Sequence, residues 1–249
     1  METITLDTIH FTASDMFSRY PEDKRKRSVS REMTDAAERA YAEGVKCVAM
    51  RSAIEIYPTV ECSSANENIE LYISERLTKQ VHLGRSVGYM IPAKEIAVVL
   101  CTVGAPLVLL LQKYAKANDC LMMYYIDLFG ILALNELAAA MRKYVEDIAA
   151  SKGWGVGPSM KPGSAAGWGV EGQRELYSLG HGENIGLTIN AASFLIPHIS
   201  NSFIVGLGPH YLSNHVGSLC SECLRYRECL WRRENIEEEA NGTQNKRSL

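Results

Sequence analysis

The chain has 249 residues and 47% of them are hydrophobic, ordinary globular content that excludes a disordered or fibrous protein. Asp and Glu number 29 against 26 Lys and Arg, a formal charge of −3, so the basic excess that marks a nucleic-acid binder is missing. Met1 leads straight into Glu2 and Thr3 with no basic segment and apolar core behind it, and no secretory signal is read there.

In chain order, a strand is expected over residues 3–7, followed by the basic run 22–27, the pattern of a solvated loop or helix start. Ser30 is placed to cap a helix whose Met33, Ala36, Ala37, Ala40 and Tyr41 fall at helical spacing, and Gly44 is expected to end it. Residues 46–56 read as a strand with Pro58 as its stop. Over 68–81 two periods compete. Ile69, Leu71 and Ile73 alternate as in a strand, while Ile73, Leu77 and Val81 recur every four residues as in a helix. A helix is expected for the second half, and the first half stays open.

The longest apolar stretch, 96–111, is shorter than the roughly 20 residues a membrane span needs and is broken by Gly104 and Pro106. It reads as a strand over 95–103, a turn at Gly104-Ala105-Pro106, and a helix to about Asn118 with Pro106 in its first turn. A cytoplasmic protein with no membrane anchor is the expectation. A longer helix covers about 121–151, with Tyr125, Leu128, Phe129, Leu132, Leu134 and Leu137 on its apolar side and Gly153 closing it. A helix over 170–179 follows, then apolar runs at 185–189, 192–196 and 202–207, read as strands of an antiparallel sheet. From Glu234 the chain is polar and without apolar periodicity, and a disordered tail is expected.

Residues 153–172 hold seven glycines, two prolines and two tryptophans, a composition that excludes regular helix or a long strand. Gly153, Gly155 and Gly157 resemble part of a dinucleotide fingerprint, but they follow a helix rather than a strand and run into Pro158 and Pro162. The better reading is an irregular loop around 159–168, whose backbone can approach a ligand where Gly163 and Gly167 carry no side chain and Pro162 stiffens the path. Trp168 has two readings, a flat surface for an adenine or a roof over the core.

Seven cysteines is an odd number, which leaves at least one thiol out of any disulfide scheme. Cys47, Cys62, Cys101 and Cys120 are scattered, whereas Cys220-x2-Cys223-x5-Cys229 crowds three into ten residues. Three soft thiolates so close can hold three corners of a zinc tetrahedron or three irons of a cubane cluster. His210 or His215 could complete a zinc site, and another cysteine or an external ligand a cluster. Arg225, Arg227, Arg232 and Arg233 would lower the thiol pKa values and offset an anionic centre. The alternative is three free surface thiols. No nucleophile elbow, acidic pair or HExxH spacing stands out.

The order of these features resembles the reactivation domain of cobalamin-dependent methionine synthase, and more closely the stand-alone proteins related to it. Cys101-Thr102-Val103-Gly104 is similar to the family's strand ending in Thr-Ile-Gly. Asp127, Gly130 and Asn135-Glu136-Leu-Ala are similar to its long-helix pattern. Lys161-Pro162-Gly163-Ser164, with Trp168 and Gln173, resembles its Arg-x-x-Pro-Gly-Tyr loop, and Ile185-Gly-Leu-Thr188 with Ile196-Pro197 and Ser200 resembles the stretch toward Pro-x-x-Ser-Val-Ser. The Cys220-Cys223-Cys229 run followed by Arg232-Arg233 is like the tail of the stand-alone members. Ser159 stands where the family loop has arginine, Ser164 where it has tyrosine, and Ile189-Asn190 where an acidic residue follows Leu-Thr.

The resemblance implies an α+β fold, a twisted antiparallel sheet flanked by helices with one long helix. It implies an activation-domain-like region over 1–210, a cysteine-cluster segment over 211–233 and a tail over 234–249. It also implies a corrinoid (cobalamin-carrying) protein as partner and S-adenosylmethionine as ligand, bound by Ser159, Lys161, Pro162, Gly163, Ser164 and Trp168. The function so implied is that of an accessory to corrinoid-dependent methyl transfer, which binds or reactivates the cobalamin-carrying partner as a component of a cobalamin-dependent methyltransferase. The rival readings are a metal-bearing docking scaffold and an electron-transfer protein with a cluster at Cys220, Cys223 and Cys229.

Overall fold

A computed structural model describes residues 1–18, 29–75, 77–163, 167–222, 226–227, 229 and 233. The basic run 22–27 and the tail from Glu234 lie outside the described residues. Along the chain run β1 (Glu2–Leu6), α1 (Asp15–Ser18), α2 (Arg31–Cys47), β2 (Met50–Ser63), β3 (Asn68–Ser74), β4 (Leu77–His82) and β5 (Glu95–Thr102). They are followed by α3 (Ala105–Lys116), α4 (Cys120–Ser151), β6 (Gly155–Val156), α5 (Gly172–Leu179), β7 (Thr188–Ile189), β8 (Leu195–Ile196) and β9 (Ser200–Gly208). The architecture is α+β: one sheet in the order β4-β3-β2-β5-β9-β6 with β1 paired to β2, and a separate two-stranded ribbon of β7 and β8. The pairs β2–β3, β3–β4 and β6–β9 are antiparallel.

The chain divides into two compact units, Met1–Ala53 with Leu100–Ala140 and His181–Asn201, and Ile54–Val99 with Met141–Gly180 and Ser202–Leu249. In the first, Ser30 caps α2 as its residue type predicts, its side chain accepting from the Met33 N–H at 3.3 Å. Gly44 does not end that helix, which runs on to Cys47. Gly44 is buried, and a Cβ there would stand 2.6 Å from the Phe129 ring. The glycine is a packing choice, not a stop. Phe129 also meets Phe11 and Tyr41, with ring centroids 5.3 and 5.8 Å apart, in edge and tilted geometries that suit aromatic quadrupoles.

The strand-to-helix passage is as expected. β5 is buried through almost its whole length, and Gly104, at φ 84°, turns the chain into α3 with Pro106 in the first turn. The six apolar positions expected on α4 are all buried. This helix is long and apolar enough by composition to cross a bilayer, but half of its most apolar window is buried inside the protein, the pattern of a core helix. The run 185–189 is mostly not strand: a 3-10 turn covers Gly182–Ile185, Gly186 is left-handed, and only Thr188–Ile189 pairs with Leu195–Ile196. Only Ser200–Gly208, of the three runs, joins the main sheet.

The second unit is built on one apolar cluster that includes Ile69, Leu71, Val81, Leu83, Met90, Ile96, Val98, Met160, Trp168, Leu176 and Ile204. The 68–81 stretch is a hairpin, with Ile69 opposite Val81 and Leu71 opposite Lys79, so its first half is strand and the helix expected over its second half is the strand β4. The four-residue recurrence of Ile73, Leu77 and Val81 was an alias: two strands of period two joined by a short turn reproduce it. Pro58 is no stop either. It sits exposed inside β2 just before the register shift at Thr59/Glu61, the kind of irregular position where a missing donor is tolerated.

Candidate functional site

The glycine-rich stretch enters the second unit as β6, whose Gly155 and Val156 lie opposite Gly208 and Leu207 of β9. Its early glycines have a steric purpose. A Cβ at Gly155 would run into the Tyr211 backbone, one at Gly157 would stand 2.8 Å from the Tyr211 ring, and one at Gly206 would meet its hydroxyl. Together they seat Tyr211, whose hydroxyl donates to the Tyr89 carbonyl at 2.7 Å and whose pKa burial pushes well above the ordinary tyrosine range. This accounts for Gly155 and Gly157 in the spacing that mimics a dinucleotide fingerprint, while Gly153 closes α4 with a left-handed backbone at φ 66°.

Past Gly157 the chain stays tied to β9 by reciprocal bonds between Met160 and Ile204, at 3.0 and 2.9 Å. Ser159 lies beside Ser218 in a parallel bridge, and its N–H donates to the Gly217 carbonyl at 3.0 Å. Lys161 and Pro162 are partly exposed and Gly163 is exposed. Gly163 has φ 74°, a left-handed backbone that side chains disfavour, and its N–H closes the loop onto the Trp168 carbonyl at 2.9 Å. Ser164 lies outside the described residues. Trp168 is only 2% exposed and belongs to the core cluster. Its indole nitrogen is buried without a hydrogen-bond partner among the described residues, and Gly172 leaves the room it fills. Gln173 donates to the Ser202 hydroxyl at 2.7 Å.

The cysteine segment returns to this same loop. Arg233 Nη1 donates to Ser159 Oγ at 3.1 Å and Nη2 to the Val216 carbonyl at 2.9 Å. Its main chain is held as well: the Arg233 N–H donates to Cys220 Sγ at 3.4 Å, and Ser218 Oγ donates to the Arg233 carbonyl at 3.0 Å. Burial lowers the guanidinium pKa, against the opposing pull of Cys220 and Glu146. Cys220 and Cys229 are free and partly buried, and Cys223 lies outside the described residues. Among the described residues no group of three or more His, Cys, Asp or Glu side chains is placed to hold a metal. His215 Nδ1 is 3.5 Å from Glu146 Oε2, and His210 is exposed on the turn after β9.

A cleft of about 490 Å³ is lined by Lys143, Glu146, Trp154, Tyr211 and His215 among others, and by none of Ser159, Lys161, Pro162, Gly163 or Trp168. Of the residues picked from sequence, the structure therefore joins Ser159 to Arg233 and Cys220, leaves Lys161, Pro162 and Gly163 on the loop surface, and sets Trp168 in the core. The linkage between Arg233 and Ser159 spans 74 positions, and no local pattern announces it.

No protein-family model matches the chain, and no curated protein matches it. Among solved structures, a crystal structure of the MetH reactivation domain bound to AdoHcy matches with a TM-score of 0.62 at 13% sequence identity, over 86% of this chain and 80% of that one. The chain has the fold of that reactivation domain.

Proposed function

We propose that the chain is an accessory protein of corrinoid-dependent methyl transfer, which binds or reactivates a cobalamin-carrying partner with S-adenosylmethionine as methyl donor. The observation that carries this reading is the fold likeness across 86% of the chain to a reactivation domain crystallised with AdoHcy, the demethylated form of that donor. The loop 159–163 supports it. Gly163 is exposed and left-handed, and among the described residues the nearest atom to a Cβ there lies 3.6 Å away, so a ligand could reach the backbone. The donor when bound supplies an electrophilic methyl sulfonium. The chain's own part is to hold the amino-acid and nucleoside ends, with Ser159, Lys161, Pro162, Gly163 and Ser164 as the proposed contacts and the buried Trp168 packed behind the loop, and to present the sulfonium to a partner's reduced cobalt. The setting proposed is a soluble cytoplasmic one.

A ligand that binds only the folded state raises the melting temperature. Millimolar S-adenosylmethionine or S-adenosylhomocysteine should therefore raise the Tm of the wild type by several degrees, at about 2–4 °C per kcal/mol for a chain of this size. Gly163→Val should abolish the ligand-induced increment, read as the difference between runs with and without ligand so that its own backbone strain cancels. No increment in the wild type refutes S-adenosylmethionine binding. Recovery of a corrinoid protein on the immobilised chain tests the partner.

We propose further that Cys220, Cys223 and Cys229 ligate one metal centre, an iron–sulfur cluster ahead of zinc. The Arg233 N–H donated to Cys220 Sγ is the type of second contact that tunes a ligating sulfur. If the metal is present and no S-adenosylmethionine binds, the docking-scaffold or electron-transfer reading takes over. Iron and zinc analysis of protein purified without oxygen tests the centre, which falls if neither co-purifies.

A further inference from the structure

A single exposed leucine is ordinary on a protein surface, and what distinguishes Leu212 is how it is held. Its side chain is 100% exposed, while both of its neighbours are fastened. Tyr211 is anchored by its hydroxyl on the Tyr89 carbonyl. The Ser213 carbonyl accepts the Val156 N–H at 2.8 Å, and the Ser213 hydroxyl donates to the His215 carbonyl at 2.7 Å. The backbone on either side of Leu212 is thus fixed, so little freedom is left to lose when a partner covers the side chain.

Beside it opens the cleft of about 490 Å³. Tyr211 and Asn214 line that cleft and Leu212 does not, so the leucine stands on the rim. Ala150, Trp154, Pro209 and Tyr211 give the cleft an apolar and aromatic side, and Lys143 and Asp147 of α4 give it a charged one. These two charges are paired one helical turn apart and are 66% and 61% exposed. An apolar knob next to an apolar cleft, with opposite charges on successive turns of one helix, makes a self-complementary surface. A two-fold axis through the rim would put each knob in the other copy's cleft. With the two α4 helices antiparallel, it would also set each Lys143 against the other copy's Asp147. We infer that this face is an interface between two copies of the chain, with the Leu212 of each seated in the cleft of the other. None of Lys161, Pro162 or Gly163 lines the cleft, and association through it is independent of ligand binding at the loop.

The test is light scattering on the full chain, separated by size-exclusion chromatography across a micromolar concentration series. The wild type should reach twice the mass of one chain. Leu212→Asp should weaken the association about 10- to 100-fold, the scale of a central interface anchor, whereas Leu212→Met should keep it. Asp147→Lys sets lysine against lysine across the axis and should return the chain to a monomer. Adding Lys143→Asp to that variant restores opposite pairs and should recover the dimer. All three side chains are exposed, so the substitutions leave the core untouched. A wild type that keeps the mass of one chain throughout overturns the interface. So does a dimer that Leu212→Asp leaves intact, or one that the charge reversal fails to restore.

Discussion

Glu175 on α5 shows how a single residue carries a pH dependence. Its Oε2 is buried with no hydrogen-bond partner among the described residues. Desolvation raises its pKa above the ordinary 4.5, and Lys79 and His82 only partly offset this. A carboxyl whose folded pKa is raised holds its proton more tightly in the native state than in the unfolded chain. Its contribution is therefore fully favourable below pH 4.5 and is lost as pH rises through the folded value. Glu175→Gln, which never ionises, should raise the Tm at pH 7, and the gain should shrink to nothing as pH falls toward the ordinary carboxyl value. A difference that stays constant across the pH series would sink the explanation. Ser159 is the opposite case. By residue type it brings no charge to the loop, yet Arg233 delivers a guanidinium onto its hydroxyl.

At the scale of elements, caps and apolar stripes were legible because their causes are local. Ser30 needs only a helix that begins at the next residue and offers the Met33 N–H, and the α4 stripe needs only the 3.6-residue period. Gly44 was misleading because a glycine that ends a helix and one that admits a neighbouring ring look alike in a sequence. Adding a methyl in an exposed helix normally stabilises it by about 1 kcal/mol. At Gly44 the new Cβ would stand 2.6 to 2.9 Å from Phe129 ring atoms, and overpacking of this kind costs about 1–3 kcal/mol. Gly44→Ala should accordingly lower the Tm by a few degrees, and Phe129→Leu in the same chain should make the alanine neutral or favourable. Independent, additive effects of the two changes would refute the contact. The β3–β4 hairpin was missed for a related reason: period four and period two coincide across a short turn.

For the molecule as a whole, the proposed metal centre predicts a divided response. The segment carrying Cys220, Cys223 and Cys229 has little apolar material of its own, so metal-binding free energy there would become folding free energy. Serine at any one of the three should release the metal and open the chain from about His215 to limited proteolysis, while the part through Leu207 stays intact. A triple serine variant that keeps its metal, or digests no faster than the wild type, overturns the centre. The fold is matched at 13% identity over 86% of the chain.

By itself the sequence determined the buried β5 strand with its turn into α3, the long core helix and the absence of regular helix over 153–163, while the fold class came through the resemblance of short motifs in order. Each of the local features depends on period, composition or a backbone requirement confined to a few neighbouring residues. Only the tertiary structure decided why Gly155, Gly157 and Gly206 are glycines, that Pro58 lies inside a strand, that Trp168 is in the core, and that Arg233 meets Ser159. Those facts turn on steric and electrostatic contacts between residues far apart in the chain, and no local pattern encodes which distant side chain will fill a given space.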